Sequence, residues 1–134
     1  MKVMNVSVVY DHTGDHVLMC LRKKDPYKGK LNFVGGKVEP GETLQQALMR
    51  ECAEELAIQV DVGEQFMQVV HQYPDMLIRL TLFHCTIPTG YPQALEHVAM
   101  EWIHPSQTDC YEFCPADTDI LTEIKKCYEK RKPL

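Results

Sequence analysis

The sequence lacks three features, each of which would place it in a large class of proteins. No apolar run approaches the roughly 18 residues that a transmembrane helix needs. Lys and Arg form no long run and the net charge is −5, so the basic stripe that binds polymeric nucleic acid is missing. The six cysteines have no framework spacing. We therefore expect a cytoplasmic protein with free thiols that binds neither a membrane nor polymeric nucleic acid.

Internal repeats, low-complexity tracts and linkers are also missing from the 134 residues. The length and the 45% share of hydrophobic residues are ordinary for a globular domain with a sizeable core, so we predict one domain over residues 1–134. The N-terminal segment has an apolar stretch of strand length and no small-residue cleavage site, which favours a first strand over a signal peptide. Both a monomer and a homodimer are compatible with these features.

Hydrophobic alternation and turn residues predict several strands. A Pro-Asp pair between two β-rich runs indicates a hairpin at residues 64–87. The last strand is short and ends at Pro105. The strand candidates are residues 3–10, 17–23, the start of 31–42, 64–73, 76–87 and 100–105.

Two segments predict helices. Residues 43–56 contain good helix formers, with Thr43 as a candidate N-cap, and residues 116–130 form a second candidate helix. The inward-facing sets are Leu44, Leu48, Cys52 and Leu56 in the first helix, and Ile120, Leu121, Ile124 and Cys127 in the second. The order of strands, helix, strands and helix points to an α/β sandwich with a mixed β-sheet.

Three carboxylates, Glu51, Glu54 and Glu55, lie in the last turns of the first predicted helix. Steps of about 100° per residue place them within one arc of roughly 100°. A helix C-terminus carries partial negative charge, so three acids there repel one another and favour a bound cation. Arg50 can balance only one of them, and Mg²⁺ suits carboxylate oxygens beside a glycine loop. The alternative is an ordinary solvated helix end.

Residues 36–58, GKVEPGETLQQALMRECAEELAI, resemble the Nudix box. That signature is Gly, five residues, Glu, seven residues, Arg-Glu, an apolar residue, any residue, Glu-Glu, any residue, Gly and an apolar residue. Two positions depart from it: Cys52 is a small apolar residue, and Ala57 replaces the late glycine that would ease a left-handed exit from the helix. The matching positions are Gly36, Glu42, Arg50, Glu51, Glu54, Glu55 and Ile58.

The resemblance implies a Nudix-type α/β/α sandwich with a mixed sheet and a hydrolase that holds Mg²⁺, with Mn²⁺ as a substitute, against a diphosphate. By this analogy Glu51, Glu54 and Glu55 are catalytic metal ligands, and Glu51 is the best candidate to deprotonate or orient water. It further implies that the Gly35 carbonyl is a ligand and that Lys37 touches phosphate. Glu42 and Arg50 are expected to brace the loop by an ion pair.

Residues 31–43 resemble the equivalent stretch of oxidised-purine triphosphatases, in which an Asn binds the base. Asn32 occupies that position, although it could instead satisfy strand backbone. The segment FCPADTDIL resembles the opening of the last helix in the same enzymes, which implies that Asp117 and Asp119 accept hydrogen bonds from the base. The alternative for Asp117 is a helix cap or first-turn acid.

Residues 95–102 resemble the late acidic loop of MutT-like proteins, in which a Glu six residues before a Trp joins the metal site. Glu96 is the corresponding candidate ligand, and a solvent-facing loop acid is the alternative. Trp102 itself is expected in the core of a strand rather than stacked on a base.

The leading hypothesis is a MutT-like enzyme that cleaves a nucleoside triphosphate, with 8-oxo-dGTP as one candidate, to a monophosphate and pyrophosphate. The second is a pyrophosphatase of ADP-ribose or another nucleoside diphosphate derivative, because Pro74 follows Ile58 by sixteen residues, as is associated with that type. The third is a binding module without turnover, against which the intact acids of the box argue. In every case the partner is a small nucleotide.

Overall fold

The computed structural model describes residues 2–25 and 27–131. The predicted domain also includes residues 1, 26 and 132–134, which lie outside the described residues. The elements are β1 (Lys2–Tyr10), β2 (Val17–Leu21), β3 (Leu31–Asn32), β4 (Val34–Lys37), α1 (Leu44–Leu56), β5 (Asp61–Tyr73), β6 (Met76–Thr86), β7 (Ala99–Ile103), a 3-10 helix (Pro105–Cys110) and α2 (Pro115–Arg131).

The described strands form one seven-stranded mixed sheet. Its main path runs β3-β2-β1-β6-β5, while β4 pairs with β1 and β7 pairs with β2. The β1–β6 pairing is parallel and the other pairings are antiparallel. This arrangement confirms the predicted mixed sheet and places β1 at the centre, where it is paired along both of its edges.

One helix covers each face of the sheet. Leu48, Cys52 and Leu56 of α1 pack with residues such as Val9 and Phe83 in one core cluster. Ile120, Leu121 and Ile124 of α2 pack with residues such as Val6 and Leu82 in the other. Cys127, also predicted to face inward, is only half-buried. Since successive side chains of a strand point to opposite faces, β1 serves both clusters, and the predicted α/β/α sandwich is confirmed.

Helix α1 is capped at both ends. The Thr43 hydroxyl accepts the Gln46 N–H at 3.1 Å and the Gln46 side-chain oxygen accepts the Thr43 N–H at 2.9 Å, so the predicted N-cap is confirmed as a capping box. At the other end Ala57 takes the left-handed conformation, with φ 56° and ψ 36°, and donates its N–H to the Ala53 carbonyl at 3.1 Å. The helix therefore makes the exit that the resemblance assigns to glycine, without the glycine.

The predicted hairpin is present, with Tyr73 opposite Met76 across a turn at Pro74 and Asp75. β5 begins three residues earlier than predicted, at Asp61, because pairing continues past register shifts between Val62 and Met67. The Pro-Asp pair predicted the tip of the hairpin correctly. The start of β5 was missed because its irregular pairing interrupts the alternation of apolar and polar residues that predicts a strand.

β2 is shorter than predicted. It ends at Leu21 and not at residue 23, since Arg22 donates its N–H to the Lys30 carbonyl and accepts the Gly29 N–H, which closes a loop. The single strand predicted at the start of residues 31–42 is divided at Phe33 into β3 and β4. The 3-10 helix that begins at Pro105 was not predicted. These corrections leave the order of the elements unchanged.

Trp102 corrects a further expectation. It lies on β7 opposite Leu18, on the face that α1 covers, yet 38% of it is exposed while Leu18 is buried. The neighbouring Ile103 points to the other face and is fully buried. The prediction of a core tryptophan was therefore wrong: among the described strands β7 pairs only with β2, so it lies at an edge of the sheet, where the large indole is less completely covered than Leu18.

All six cysteines are free thiols, as predicted. Among the described helices, none is long and apolar enough to cross a membrane.

Candidate active site

Two adjacent glycines fit the end of β4 against its neighbours. A Cβ atom added to Gly36 would lie 2.5 Å from Oε1 of Glu51, and one added to Gly35 would collide with the backbone carbonyl of Asn5 on β1. Neither position tolerates a side chain without movement. Gly36 thus lets the Glu51 carboxylate lie directly against the backbone of the loop.

Arg50 fastens this loop to α1. Its Nε donates to Oε2 of Glu42 at 2.8 Å, and its Nη2 donates to Oε1 of Glu42 at 3.0 Å and to the Lys37 carbonyl at 3.1 Å. These hydrogen bonds hold the pKa of Glu42 below its usual value. The ion pair expected between Glu42 and Arg50 is therefore present; that it braces the loop for function stays a prediction.

The same guanidinium reaches the carboxylate cluster. Nη1 of Arg50 donates to Oε1 of Glu51 at 2.9 Å and approaches Oε2 of Glu54 at 3.4 Å. Glu51 is largely buried, with 17% of its side chain exposed, whereas 55% of the Glu54 side chain is exposed. Arg50 thus compensates two of the three acids.

Glu55 is the third acid and the least compensated. Burial raises its pKa to about 8, and the charge of Glu51, a hydrogen bond to Glu51 and the charges of Glu96 and Glu54 act in the same direction. Its Oε2 atom is buried without a hydrogen-bond partner among the described residues. The three carboxylates that the helical spacing brought to one arc therefore do interact, and their mutual repulsion favours a cation.

A loop carries a fourth acid to the same place. The N–H groups of Gln93 and Leu95 donate to the Leu56 and Glu55 carbonyls at 2.8 and 3.1 Å, so the loop closes the C-terminus of α1. Glu96, predicted as a ligand, follows directly and lies close enough to Glu55 to raise its pKa, although its side chain is exposed.

His97 was not predicted as a site residue. Its Nε2 lies 3.8 Å from Oε1 of Glu55, and only 8% of its side chain is exposed. Burial lowers the pKa of His97, and the positive charges of Arg22 and Lys23 lower it further, against the opposite effect of Glu96. A single histidine after a loop acid carries no spacing signal, which is why the sequence did not reveal it.

The donor set suits a hard divalent cation. Carboxylate oxygens of Glu51, Glu54, Glu55 and Glu96 and the Gly35 carbonyl are ligands of the kind that Mg²⁺ accepts. Within the described part of the chain no three acidic, His or Cys side chains already form a metal cage, and Arg50 contacts both Glu51 and Glu54. Binding would therefore exchange contacts with Arg50 for contacts with the cation.

A cavity of about 560 Å³ opens beside Glu55. It brings together a metal-binding candidate, Glu55, and two base-binding candidates, Asn32 and Asp117. We call it the large cavity. Its other lining residues are Met4, Asn5, Val6, Arg22, Tyr27, Phe33, Gly35, Tyr73, Pro74, Asp75, Met76, Ile78, Leu80, His97 and Cys114.

The polar groups of this cavity are buried and incompletely partnered. Oδ1 of Asn32 makes no hydrogen bond to any described residue. Asp117, in the first turn of α2, is 7% exposed, and burial raises its pKa to about 8 despite the charge of Arg22 and a hydrogen bond from the Phe33 N–H. The first-turn position suits the alternative given for Asp117 as well. Its base-binding role stays a prediction.

Two other candidates lie apart from the cavity. Asp119 is exposed and is not among the lining residues, so the structure does not bring it to Asn32 and Asp117. Lys37 is exposed, and only its carbonyl is seen in contact with Arg50. Their roles remain predictions from the resemblance.

A second cavity, of about 390 Å³, lies next to the first. We call it the basic cavity, because Arg22, Lys23 and Lys24 line it together with Glu96 and His97. The Arg-Lys-Lys sequence was visible after β2, but three cations at a strand end have no motif to distinguish them from a solvated loop.

Comparison with known proteins identifies the family of the chain. The profile of the NUDIX domain matches residues 1–123. A CTP pyrophosphohydrolase of Escherichia coli K12 is 34% identical over 87% of this chain and 86% of its own length, and an 8-oxo-dGTP diphosphatase of the same strain is 28% identical over 94% and 99%.

Solved structures give the same result for the fold. The solution structure of the E. coli ORF135 protein superposes with a TM-score of 0.79 at 31% identity, covering all of this chain and 96% of that one. A MutT protein from Methanosarcina mazei Go1 has the same TM-score at 22% identity, covering 98% and 96%. Because the NUDIX domain profile matches residues 1–123 and a pyrophosphohydrolase relative is 34% identical over 87% of the chain, the chain belongs to the Nudix family of hydrolases.

Proposed function

We propose that the protein hydrolyses a nucleoside triphosphate to the monophosphate and pyrophosphate, with a divalent cation such as Mg²⁺. One observation carries the proposal: the large cavity joins Glu55 of the acid cluster to the buried polar groups of Asn32 and Asp117. A nucleotide has the same two parts, an anhydride that needs charge compensation and a base edge that needs hydrogen bonds. The names of the two E. coli relatives, which act on CTP and on 8-oxo-dGTP, support this substrate class.

The chain's own residues prepare the reaction. A bound cation would supply charge stabilisation for the phosphoryl oxygens and acidify water. Glu51, held against Gly36, is positioned to orient the attacking water and take its proton, while Arg50 keeps the loop on the helix. Water adds to the α or the β phosphorus and gives a proton to Glu51, and the anhydride bond between these two phosphorus atoms breaks. The bridging oxygen keeps the electron pair and leaves with pyrophosphate in the first case and with the nucleoside monophosphate in the second.

Asp117 and Asn32 suit a base with adjacent donors and acceptors. Because the pKa of Asp117 is raised to about 8, its carboxyl is protonated at neutral pH and can both donate and accept. The Asn32 amide also donates and accepts. Two bases are complementary to the Asp117 carboxyl and the Asn32 amide: cytosine through its N3 and amino groups, and an oxidised guanine through its O6 and N1–H groups. The choice between these bases therefore needs a hydrolysis measurement.

The test is a hydrolysis panel with Mg²⁺ containing CTP, the four unmodified dNTPs, 8-oxo-dGTP and ADP-ribose, with products separated by chromatography. Glu54→Gln is expected to lower turnover by a factor of about 10³ or more, since it removes a cation ligand. Glu39→Gln is the matched control: this exposed acid lies 3.8 Å from Arg50 and is expected to leave turnover unchanged. Turnover of triphosphates that survives Glu54→Gln would contradict the proposal.

ADP-ribose is the second candidate, and one observation favours it. Pro74, the residue that suggested this substrate, lines the large cavity beside Tyr73 and Asp75. Cleavage of ADP-ribose to AMP in preference to every triphosphate would select this alternative and would remove the roles given to Asn32 and Asp117.

A further inference from the structure

The basic cavity concentrates positive charge in an acidic protein. Arg22, Lys23 and Lys24 line it against one carboxylate, that of Glu96, although the whole chain has a net charge of −5. His97 lies in the same wall. A concave surface with this sign attracts an anion with at least two charges.

Two residues that line both cavities define where the basic cavity lies relative to the acids Glu51, Glu54 and Glu55. Arg22 and His97 line both cavities, so the basic cavity and the large cavity meet at these side chains. His97 is also the residue whose Nε2 lies 3.8 Å from Oε1 of Glu55. An extended ligand in the large cavity that passes Glu55 therefore reaches the basic cavity.

His97 supplies an independent indication of a ligand. Its side chain is more than nine-tenths buried, and its Nδ1 is buried with no hydrogen-bond partner among the described residues. Buried polar atoms in folded proteins nearly always have a partner, so an unpartnered one at a cavity wall marks a place where a ligand or water binds. The two lysines beside it are exposed and able to reach the same ligand.

We propose that the basic cavity binds the terminal phosphates of the substrate and thereby selects nucleoside triphosphates over nucleoside diphosphates and their sugar derivatives. The inference rests on the proposed function for the placement of the nucleoside at Asn32 and Asp117. With the base there and the scissile anhydride at Glu55, the rest of the polyphosphate extends past His97 towards Lys23 and Lys24. A diphosphate ends before these cations, and the second ribose of ADP-ribose presents hydroxyl groups to them.

Direct binding tests the cavity without turnover. Inorganic tripolyphosphate is titrated into the protein by calorimetry, once in EDTA and once with Mg²⁺. The double variant Lys23→Met/Lys24→Met is expected to bind at least about tenfold more weakly, since each lost charge-assisted contact weakens binding severalfold. Lys28→Met is the matched control: this exposed lysine is on the same loop and outside the cavity lining, and its affinity is expected to match the wild type.

Kinetics test the selectivity. The ratio of kcat/KM for a nucleoside triphosphate to that for the matching diphosphate is expected to fall at least about tenfold in the double variant and to stay constant in Lys28→Met. An equal loss for both substrates, or no loss, would overturn the proposal, as would the absence of tripolyphosphate binding under both conditions. If no triphosphate is hydrolysed but lysine-dependent tripolyphosphate binding persists, the proposed function fails while the anion subsite stands.

Discussion

The two ends of the large cavity are built in opposite ways. The acid end comes mainly from one continuous segment, residues 36–57, which Arg50 ties together through contacts with Glu42, Glu51 and the Lys37 carbonyl. The loop before β7 adds only Glu96 and His97 to it. The base end combines Asn32 of β3, the turn at Pro74 and Asp117 of α2, which are far apart in the chain. The reacting groups are thus set by local sequence, whereas the groups that face the base depend on how the whole sheet is assembled.

The two ends also differ in how their polar groups are partnered. At the acid end Arg50 contacts both oxygens of Glu42 and one oxygen each of Glu51 and Glu54, while Oε2 of Glu55 is buried without a partner among the described residues. At the base end Oδ1 of Asn32 has no partner in the described chain and Asp117 is buried enough to hold its proton. Substitutions at the acid end should therefore lower activity, whereas substitutions at the base end should lower both activity and stability.

Among the substitutions that test this comparison of the two ends, the largest effect is expected at the two glycines, where changes in stability and in turnover can be separated. Gly36→Ala places a Cβ against the flexible end of Glu51, so the protein should fold while the carboxylate moves and turnover falls about 100-fold. Gly35→Ala meets the Asn5 backbone, which cannot move alone, and should lower the free energy of unfolding by about 1–3 kcal/mol. Denaturant unfolding and turnover, measured on both variants, check this.

The variants Gly36→Ala and Gly35→Ala serve as controls for each other. A Gly36→Ala protein that keeps full activity would show that Glu51 need not lie against the loop. Equal destabilisation of the two variants would show that the acid end is as rigid as the sheet beneath it.

The base end is tested through the proton on Asp117. Its pKa of about 8 in the folded protein lies above its ordinary value of 3.8, so the folded state binds more protons than the unfolded state between these values. This contribution is fully present below about pH 4 and is lost as pH rises towards 8. Asp117→Asn should remove that decline, which is at most about 1.4 kcal/mol per pH unit.

Asp119→Asn is the matched control, because Asp119 is exposed two residues further along α2. Unfolding free energies at several pH values between 4 and 9 compare the two variants with the wild type. Glu55 titrates in all three proteins and cancels in the differences. Parallel curves for Asp117→Asn and the wild type would contradict the buried, protonated carboxyl.

The smallest effect is expected at the end of α1. Ala57 has φ 56°, a left-handed conformation that glycine adopts more readily, so Ala57→Gly should raise the free energy of unfolding by about 0.5–1 kcal/mol. Ala53→Gly, one turn earlier in the helix interior, should instead lower it by about 1 kcal/mol. Thermal unfolding of both variants distinguishes a cap effect from a general effect of glycine, which would give both changes the same sign.

Much of the fold could be predicted because its signals are local. The Thr43 N-cap, the Pro74–Asp75 turn and the apolar spacing of α1 each act within a few residues, and each was found where the pattern indicated. The prediction for Trp102 failed because burial of a strand residue depends on where its strand lies in the sheet, and β7 pairs only with β2 among the described strands. The cytoplasmic location and the oligomeric state stay predictions.

The candidate site likewise has a part that local sequence predicts and a part that depends on the assembled fold. Glu51, Glu54 and Glu55 share a helix, so their spacing alone brings them together, and the structure shows the resulting mutual effect on Glu55. Arg22 and His97 meet only because β2 and the loop before β7 are neighbours in the sheet, and nothing in their own sequence context marks them. Asp117 and Asp119 looked equivalent in the sequence, and only the orientation of α2 separates the buried one from the exposed one.

The segment between Gln93 and Val98 has a fixed length because hydrogen bonds hold both of its ends. Hydrogen bonds to the Leu56 and Glu55 carbonyls set its start, and the bond from the Val98 N–H to the Leu21 carbonyl, at 3.0 Å, sets its end. Insertions in the loop upstream of Gln93 can lengthen the surface without moving Glu96 or His97. One residue added between Leu95 and Val98 would instead change which side chain stands beside Glu55, so the spacing of this segment is under the same constraint as the spacing of the box itself.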